Sequence, residues 1–344
     1  MAFDKFMYTG KGLCFSGYGL LNYYIFKKIA LFCLVALSLL TSQLAYADEN
    51  TIAVFYPQAK EPYSSIYQAI ISGGKNRAAE HDIQFKEYEL ANETKSEDII
   101  QALEKDNIHK VIVLGRSGWK LAKVLSAITH VNKAGKSAKK YQVVSGALPI
   151  SPNGVSGISL ITDPAYLFDY LKQVAPSVTQ VHAAYSEKNE WLIELAKIAA
   201  LEKGLTLNLK KVANTKEAID FYQTLFESQV SNKDSIWLPL DSVSSHDKIT
   251  LPLILEKSWA KEVVVFSSKP SHAKRGALFS TYPDNYSLGE HLFNMVQELE
   301  HQPEQKSFAT LKSTLLAVNL RTAAHLGLKY SEEQQQEFKL TFPE

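Results

Sequence analysis

Residues 146–164, GALPISPNGVSGISLITDP, separate two halves of the chain that show the same alternation of strand and helix patterns. The stretch holds four glycines and prolines before Val155 and then a short apolar strand. It ends in Thr162-Asp163-Pro164, which is typical of a helix start. We interpret the stretch as the crossover between two α/β lobes, with a small ligand in the cleft beside it and the lobes hinging across it.

Both halves alternate short apolar strands with amphipathic helices. The first half contains predicted strands at residues 51–56, 83–88, 109–114 and 141–144. The second contains predicted strands at residues 178–184, 205–211, 235–238, 263–266 and 277–281. Strands that alternate with helices favour a parallel sheet covered by helices on both faces. The sequence therefore predicts an α/β fold with two Rossmann-like lobes and parallel sheets.

The N-terminal region has the pattern of a cleavable secretory signal. Lys27-Lys28 precedes an apolar run at residues 29–40, and Ala45-Tyr46-Ala47 provides the small residues of a cleavage site. We expect a signal peptide over residues 1–47, cleavage after Ala47, and a periplasmic protein beginning at Asp48. Residues 1 to about 21 precede the usual start of such a signal, which suggests a translation start placed too early.

The composition after residue 47 excludes some partners and chemistries. Both cysteines, Cys14 and Cys33, precede the predicted cleavage site, so the exported chain would carry no thiol, disulfide or cysteine metal site. The predicted signal takes four lysines and one aspartate with it, which leaves 33 basic and 35 acidic residues. This near-balance gives no indication of nucleic acid as a partner.

Candidate ligand-binding residues follow from the strand pattern, because ligands of open parallel sheets bind beyond the carboxyl ends of the strands. Glycine and serine at these turns expose backbone N–H groups suited to a carboxylate, and Asp241 could neutralise an amine. Asp241 and Ser117 could instead cap helices, and the tyrosines could belong to the general packing. The predicted ligand-binding residues are Tyr56, Tyr63, Gly115, Arg116, Ser117, Gly146, Tyr185, Asp241, Ser242 and Ser267.

Signals for catalysis are weak. Residues 115–119, GRSGW, resemble a nucleophile elbow, but that motif needs glycine where Trp119 stands. Ser245-His246-Asp247 places triad residue types side by side, whereas a triad needs side chains that converge from separate elements. The sequence contains no HExxH, P-loop or GxGxxG motif. We therefore expect no catalytic residues, no metal site and no cofactor.

Four stretches resemble the substrate-binding proteins of ABC transporters, within the type I periplasmic binding proteins, in a branch whose characterised members bind aromatic amino acids. They are residues 157–185, 235–242 (SIWLPLDS), 276–299 and 316–328 (LAVNLRTAAHLGL). The resemblance implies that Asp241 and Ser242 line the cleft, with Gly115–Ser117 facing them from the first lobe. It also implies that the helix from Asp284 returns to the first lobe, which gives three crossovers.

On this basis we expect an N-terminal lobe of residues 48–150 and about 283–305. A C-terminal lobe would comprise residues 151–282 and about 306–330, followed by a loosely attached polar tail at 331–344. The expected function is that of a monomeric periplasmic solute-binding protein. It would capture a small molecule, an amino acid or similar small organic anion, and pass it to an inner-membrane ABC permease. The alternative is a ligand-binding sensory module that feeds a membrane receptor or sensor kinase.

Overall fold

The computed structural model describes residues 50–91, 93–131, 137–152, 154–301 and 307–343. The predicted signal peptide and its cleavage site lie outside these residues. Within the described ranges, no helix combines the length and apolar character that a membrane span requires.

The first sheet is entirely parallel, with the strand order β13-β7-β6-β3-β1-β2. Its central strand, β3, has the sequence KVIVL and is buried along its whole length, as expected for a strand covered on both faces. The strands of this sheet are β1 (Thr51–Pro57), β2 (Gln84–Leu90), β3 (Lys110–Leu114), β6 (Gln142–Leu148), β7 (Ser156–Thr162) and β13 (Phe308–Leu311). Strands β4 (Thr129–Val131) and β5 (Ser137–Lys139) form a separate antiparallel pair.

The helices of the first lobe are α1 (Tyr63–Glu80), α2 (Ser96–Lys105), α3 (Gly115–Ala127) and α9 (Asn285–His301). Helices α1 and α9 approach so closely that glycine is needed at their contact. A Cβ atom on Gly289 would lie 1.9 Å from the carbonyl oxygen of Ile70, and one on Gly73 would lie 2.0 Å from that of Tyr286. This contact fixes α9 to the first lobe, although α9 follows most strands of the second sheet in sequence.

The second sheet has seven strands in the order β15-β14-β12-β11-β10-β8-β9, and β14 runs antiparallel to β12. Its core contains a group of aromatic rings in which Phe168 meets Trp237 edge-on at 5.7 Å and Phe266 stacks on Phe279 at 5.2 Å. The strands are β8 (Gln180–Tyr185), β9 (Thr206–Lys211), β10 (Asp234–Leu238), β11 (Val264–Ser267), β12 (Phe279–Pro283), β14 (Thr314–Asn319) and β15 (Leu340–Phe342). The helices are α4 (Pro164–Val174), α5 (Glu190–Glu202), α6 (Thr215–Glu227), α7 (Thr250–Lys261), α8 (Ser271–Arg275), α10 (Leu320–His325) and α11 (Glu332–Glu337).

The chain crosses between the two sheets three times: after β7, after β12 and after β13. The crossovers are hydrogen-bonded to one another. The N–H of Asp163 donates to Leu311 O at 2.9 Å, and the hydroxyl of Thr310 donates to the Asp163 carboxylate at 2.6 Å. The N–H of Asp284 donates to Ser313 O at 3.1 Å. The α/β fold with two lobes, predominantly parallel sheets and three crossovers is thus confirmed.

The lobe boundaries differ from the expected ones at two positions. Strand β7 pairs with β6, so the first crossover comes after Thr162 and not at residue 150. Strand β13 pairs with β7, so residues 308–311 belong to the first sheet and not to the C-terminal lobe.

The C-terminal tail is also different from the expected loose segment. Its strand β15 pairs with β14, and α11 carries a capping box at Ser331. Phe338 is buried and packs edge-on against Tyr330 at 5.1 Å. Burial of an aromatic ring and backbone pairing therefore anchor a segment whose composition is mostly polar.

Candidate ligand-binding site

A cavity of about 740 Å³ lies at the carboxyl ends of β8, β10 and β11, beside the connection from β6 to β7. Most of its lining comes from the three second-lobe segments that follow these strands, and the smaller part comes from the first lobe. The lining residues are Pro149, Ser151, Ile161, Ser186, Lys188, Asn189, Trp191, Pro239, Leu240, Asp241, Ser242, Ser245, His246, Asp247, Lys248, Lys269 and His272. The position agrees with the general rule for open parallel sheets.

Asp241 joins two of these segments through four hydrogen bonds. Its Oδ2 atom accepts the N–H of Ser186 at 2.7 Å and the side-chain amide of Asn189 at 3.0 Å. Its Oδ1 atom accepts the N–H groups of Val243 at 2.8 Å and Ser244 at 3.2 Å. Burial disfavours the charged form, but these donors outweigh it, so the pKa of Asp241 lies below its ordinary value. The carboxylate is therefore charged and fully occupied by the protein.

A second chain of polar side chains runs from Ser267 through His272 and Asp247 to Lys269. His272 is completely buried, its Nδ1 lies 2.8 Å from Ser267 Oγ, and its Nε2 lies 2.9 Å from Asp247 Oδ1. Burial lowers the pKa of His272, so the ring is neutral at pH 7. Because a carboxylate can only accept, Nε2 carries the ring proton and Nδ1 accepts the hydroxyl of Ser267.

Asp247 is held by two donors at once. Lys269 Nζ pairs with its Oδ2 atom while His272 occupies Oδ1. Burial alone would raise the pKa of Asp247, but these two hydrogen bonds lower it to about 2. The second carboxylate of the cavity is thus charged and paired with protein groups.

Other polar groups of the lining have no partner within the described part of the chain. These are the indole N–H of Trp191 and the hydroxyl of Ser245, both of which are buried atoms. Lys188 and Lys248 are exposed at the cavity, and no acidic side chain of the described residues pairs with either. The exposed charged groups without a partner among the described residues are therefore two cations, and the two unpartnered polar atoms are buried in the wall of the cavity.

The structure brings Asp241 and Ser242 together in this cavity, but not the other eight predicted site residues. Tyr63 is 62% exposed at the start of α1. Tyr56 and Tyr185 are half-buried against the cores of the first and second lobes. These contacts agree with the alternative interpretation that the tyrosines belong to the general packing and not to the binding site.

The two predicted glycines have structural roles, and the other three predicted residues of this group lie outside the cavity lining. Gly115 has a φ of +67° at the start of α3, and a Cβ there would lie 2.5 Å from the hydroxyl of Tyr67. A Cβ on Gly146 would lie 2.6 Å from a methyl carbon of Leu292 on α9. Ser267 is fully buried, whereas Arg116 is exposed and Ser117 half-buried in the first turn of α3.

The neighbouring residues Ser245, His246 and Asp247 do not form a triad. His246 Nδ1 accepts the backbone N–H of Lys248, and Asp247 is bound by Lys269 and His272. The hydroxyl of Ser245 has no partner among the described residues. The three side chains therefore take part in separate interactions.

Sequence reasoning missed the residues that lie shortly after the strand ends. Trp191 and Asn189 follow the end of β8, and Lys269 and His272 follow the end of β11. Considering residues several positions beyond each strand end, and not only the first ones, would have included them. The pairing of Asp247 with His272, 25 positions further along the chain, has no sequence signal.

Comparisons with known structures place this fold among the type I periplasmic binding proteins. A ligand-free, open substrate binding protein with adhesive properties from Clostridium difficile has 13% identity and a TM-score of 0.58, covering 85% of this chain and 99% of that chain. An ABC domain in complex with L-Trp from Streptococcus pneumoniae has 18% identity and a TM-score of 0.48, covering 86% of this chain and 100% of that chain. No curated protein matches the sequence.

The family follows from the sequence itself. Residues 52–338 match the family described as ABC transporter substrate binding protein. The chain therefore belongs to this family of solute-binding proteins. Membership implies a small-molecule ligand and a membrane permease as partners.

Proposed function

We propose that the protein captures a small organic solute, an amino acid or a similar small organic anion, in the cavity beyond β8, β10 and β11. It then delivers the solute to an inner-membrane ABC permease. The observation that carries this proposal is a cavity at the edge where sheets of this type bind ligands, lined by two lysines, Lys188 and Lys248, that have no acidic partner among the described residues. Its volume of about 740 Å³ suits a small molecule.

In this proposal Asp241 and Ser242 belong to the site, but their roles differ. Asp241 holds the segments after β8 and β10 in place, whereas the exposed Ser242 offers its hydroxyl to the solute. The lobes close about the three crossovers, and the first turn of α3, with Gly115, Arg116 and Ser117, meets the solute only on closure. The protein acts as a monomer in the periplasm after cleavage at Ala47.

The test is a thermal-shift screen of the protein beginning at Asp48 against amino acids and small organic acids. A solute that binds the folded state at a free concentration c stabilises it by RT ln(1 + c/Kd), so the melting temperature rises with the logarithm of the solute concentration once that exceeds Kd. Ser242→Trp, which fills the cavity from an exposed position, should abolish the shift. Ser177→Trp is the matched control, because Ser177 is exposed and outside the cavity lining. If no small solute stabilises the protein, the proposal is wrong.

A further inference from the structure

We infer that the solute is a small organic dianion held by Lys188 and Lys248, and not a zwitterionic amino acid. The inference rests on the proposed function, since it assigns the chemistry of the same cavity. It depends on which charged groups of the lining are already occupied and which are free.

The first step is that neither carboxylate of the cavity is available to an ammonium group. Asp241 already accepts four hydrogen bonds, which fill the acceptor positions of its two oxygens. Asp247 is neutralised by Lys269 and oriented by His272. An amino acid would bring its ammonium into the cavity without a free carboxylate to receive it, and such burial is costly.

The second step is that the cations of the cavity exceed its anions and come from three separate segments. Lys188 lies in the turn after β8, Lys248 in the loop after β10, and Lys269 in the loop after β11. Lys188 and Lys248 have no acidic partner within the described ranges, whereas Lys269 shares Asp247. The two ammonium groups of Lys188 and Lys248 are therefore left to pair with two negative charges on the solute, because Asp247 already neutralises Lys269.

The third step is the polarity of the remaining groups. The indole N–H of Trp191 can only donate a hydrogen bond, and its nitrogen is buried without a partner among the described residues. The Ser245 hydroxyl is likewise unpartnered, and Ser245 is only 6% exposed. An acceptor oxygen of a carboxylate or phosphate that reaches these two buried groups would satisfy both, whereas an ammonium can accept no hydrogen bond from the indole and has the same charge as the lysines.

Isothermal titration calorimetry of the protein beginning at Asp48 tests the inference with four solutes of different charge. Succinate and glycerol phosphate are dianions that distinguish a dicarboxylate from a phosphate ester, and alanine and phenylalanine are zwitterions. We expect at least one dianion to bind, more weakly as salt is added, and the zwitterions not to bind. Binding of a zwitterion in the absence of dianion binding overturns the inference and leaves the proposed function standing. Failure of both dianions overturns the inference, whereas the proposed function is overturned only if the thermal-shift screen also finds no stabilising solute.

Two variants test the assignment of the lysines. Lys188→Gln and Lys248→Gln should each weaken dianion binding by roughly tenfold, the loss of one charge-assisted contact. Both side chains are exposed and unpaired in the described structure, so the melting temperature of the free protein should stay constant. Lys197→Gln, on α5 and paired with Glu194 outside the cavity, is the matched control and should bind as the unsubstituted protein does. Unchanged affinity in both cavity variants overturns the assignment.

Discussion

Asp241→Asn is the substitution that most directly tests the role assigned to the carboxylate of the cavity. Asparagine keeps the shape of the side chain but replaces one accepting oxygen by an NH₂ group and removes the charge. Oδ1 and Oδ2 each accept two hydrogen bonds, so two of the four bonds are lost whichever way the amide is oriented. Hydrogen bonds to a charged group contribute about 1.5–3 kcal/mol each, so the loss of two should lower the free energy of unfolding by about 3–6 kcal/mol.

The assay is urea unfolding at pH 7, followed by tryptophan fluorescence. Asp220→Asn on α6 is the matched control, because Asp220 is exposed, and it should change the free energy of unfolding by less than about 0.5 kcal/mol. A loss below about 1 kcal/mol in Asp241→Asn would refute the reasoning. That result would mean that the carboxylate is not held by the protein and is free for a ligand amine.

The pH dependence gives an independent check on the same carboxylate. The folded pKa of Asp241 lies below its ordinary value, so its contribution is complete above the unfolded pKa of about 3.9. The contribution is lost as the pH falls through the lower folded pKa. The difference in stability between the unsubstituted protein and Asp241→Asn should therefore persist at neutral pH and shrink in strong acid.

Three further substitutions test packing and polar contacts by the same unfolding measurement. Gly289→Ala places a methyl group against the carbonyl of Ile70 and should cost about 2–3 kcal/mol; a cost below 0.5 kcal/mol would contradict the close helix contact. Asp247→Asn should cost about 1 kcal/mol at pH 7, since solvent screens this half-exposed carboxylate, and the cost should shrink as the pH falls towards the folded pKa of about 2, where half of the carboxylate is protonated. Tyr222→Phe removes the acceptor of the Ala184 N–H and should cost about 1–3 kcal/mol, whereas an unchanged stability would show that the bond is dispensable.

The strands with long apolar runs could be predicted from sequence, because they are buried on both faces of a sheet. The runs at residues 51–56 and 109–114 correspond to β1 and β3, both of which are interior strands of the first sheet. Strands β13 and β15 were not predicted. Both lie at sheet edges and are too short to show a recognisable hydrophobic periodicity. The strands that pair with β7 could not be predicted either, because the pairing of parallel strands leaves no local pattern in the sequence.

Only those contacts of the site that join residues close in sequence could be predicted. The bonds from Val243 and Ser244 to Asp241 join near neighbours and follow from the tendency of aspartate to accept such N–H groups. The bonds from Ser186 and Asn189 span more than fifty positions, so only the fold reveals that Asp241 is fully occupied. The expected role as partner of a ligand amine therefore depended on information that the sequence does not contain.

The two bound carboxylates also indicate the order in which the two lobes contact the solute. Asp241 and Asp247 fix the segments after β8, β10 and β11 before any solute arrives, so these segments need little further ordering on binding. Because the second-lobe part of the site is already ordered, binding costs it little conformational entropy. It can therefore hold a small solute without the first lobe. The crossover bonds of Asp163 to Thr310 and Leu311 join segments on the hinge itself, so they can persist while the lobes move. We therefore expect the solute to bind the second lobe first, with the first lobe closing over it afterwards.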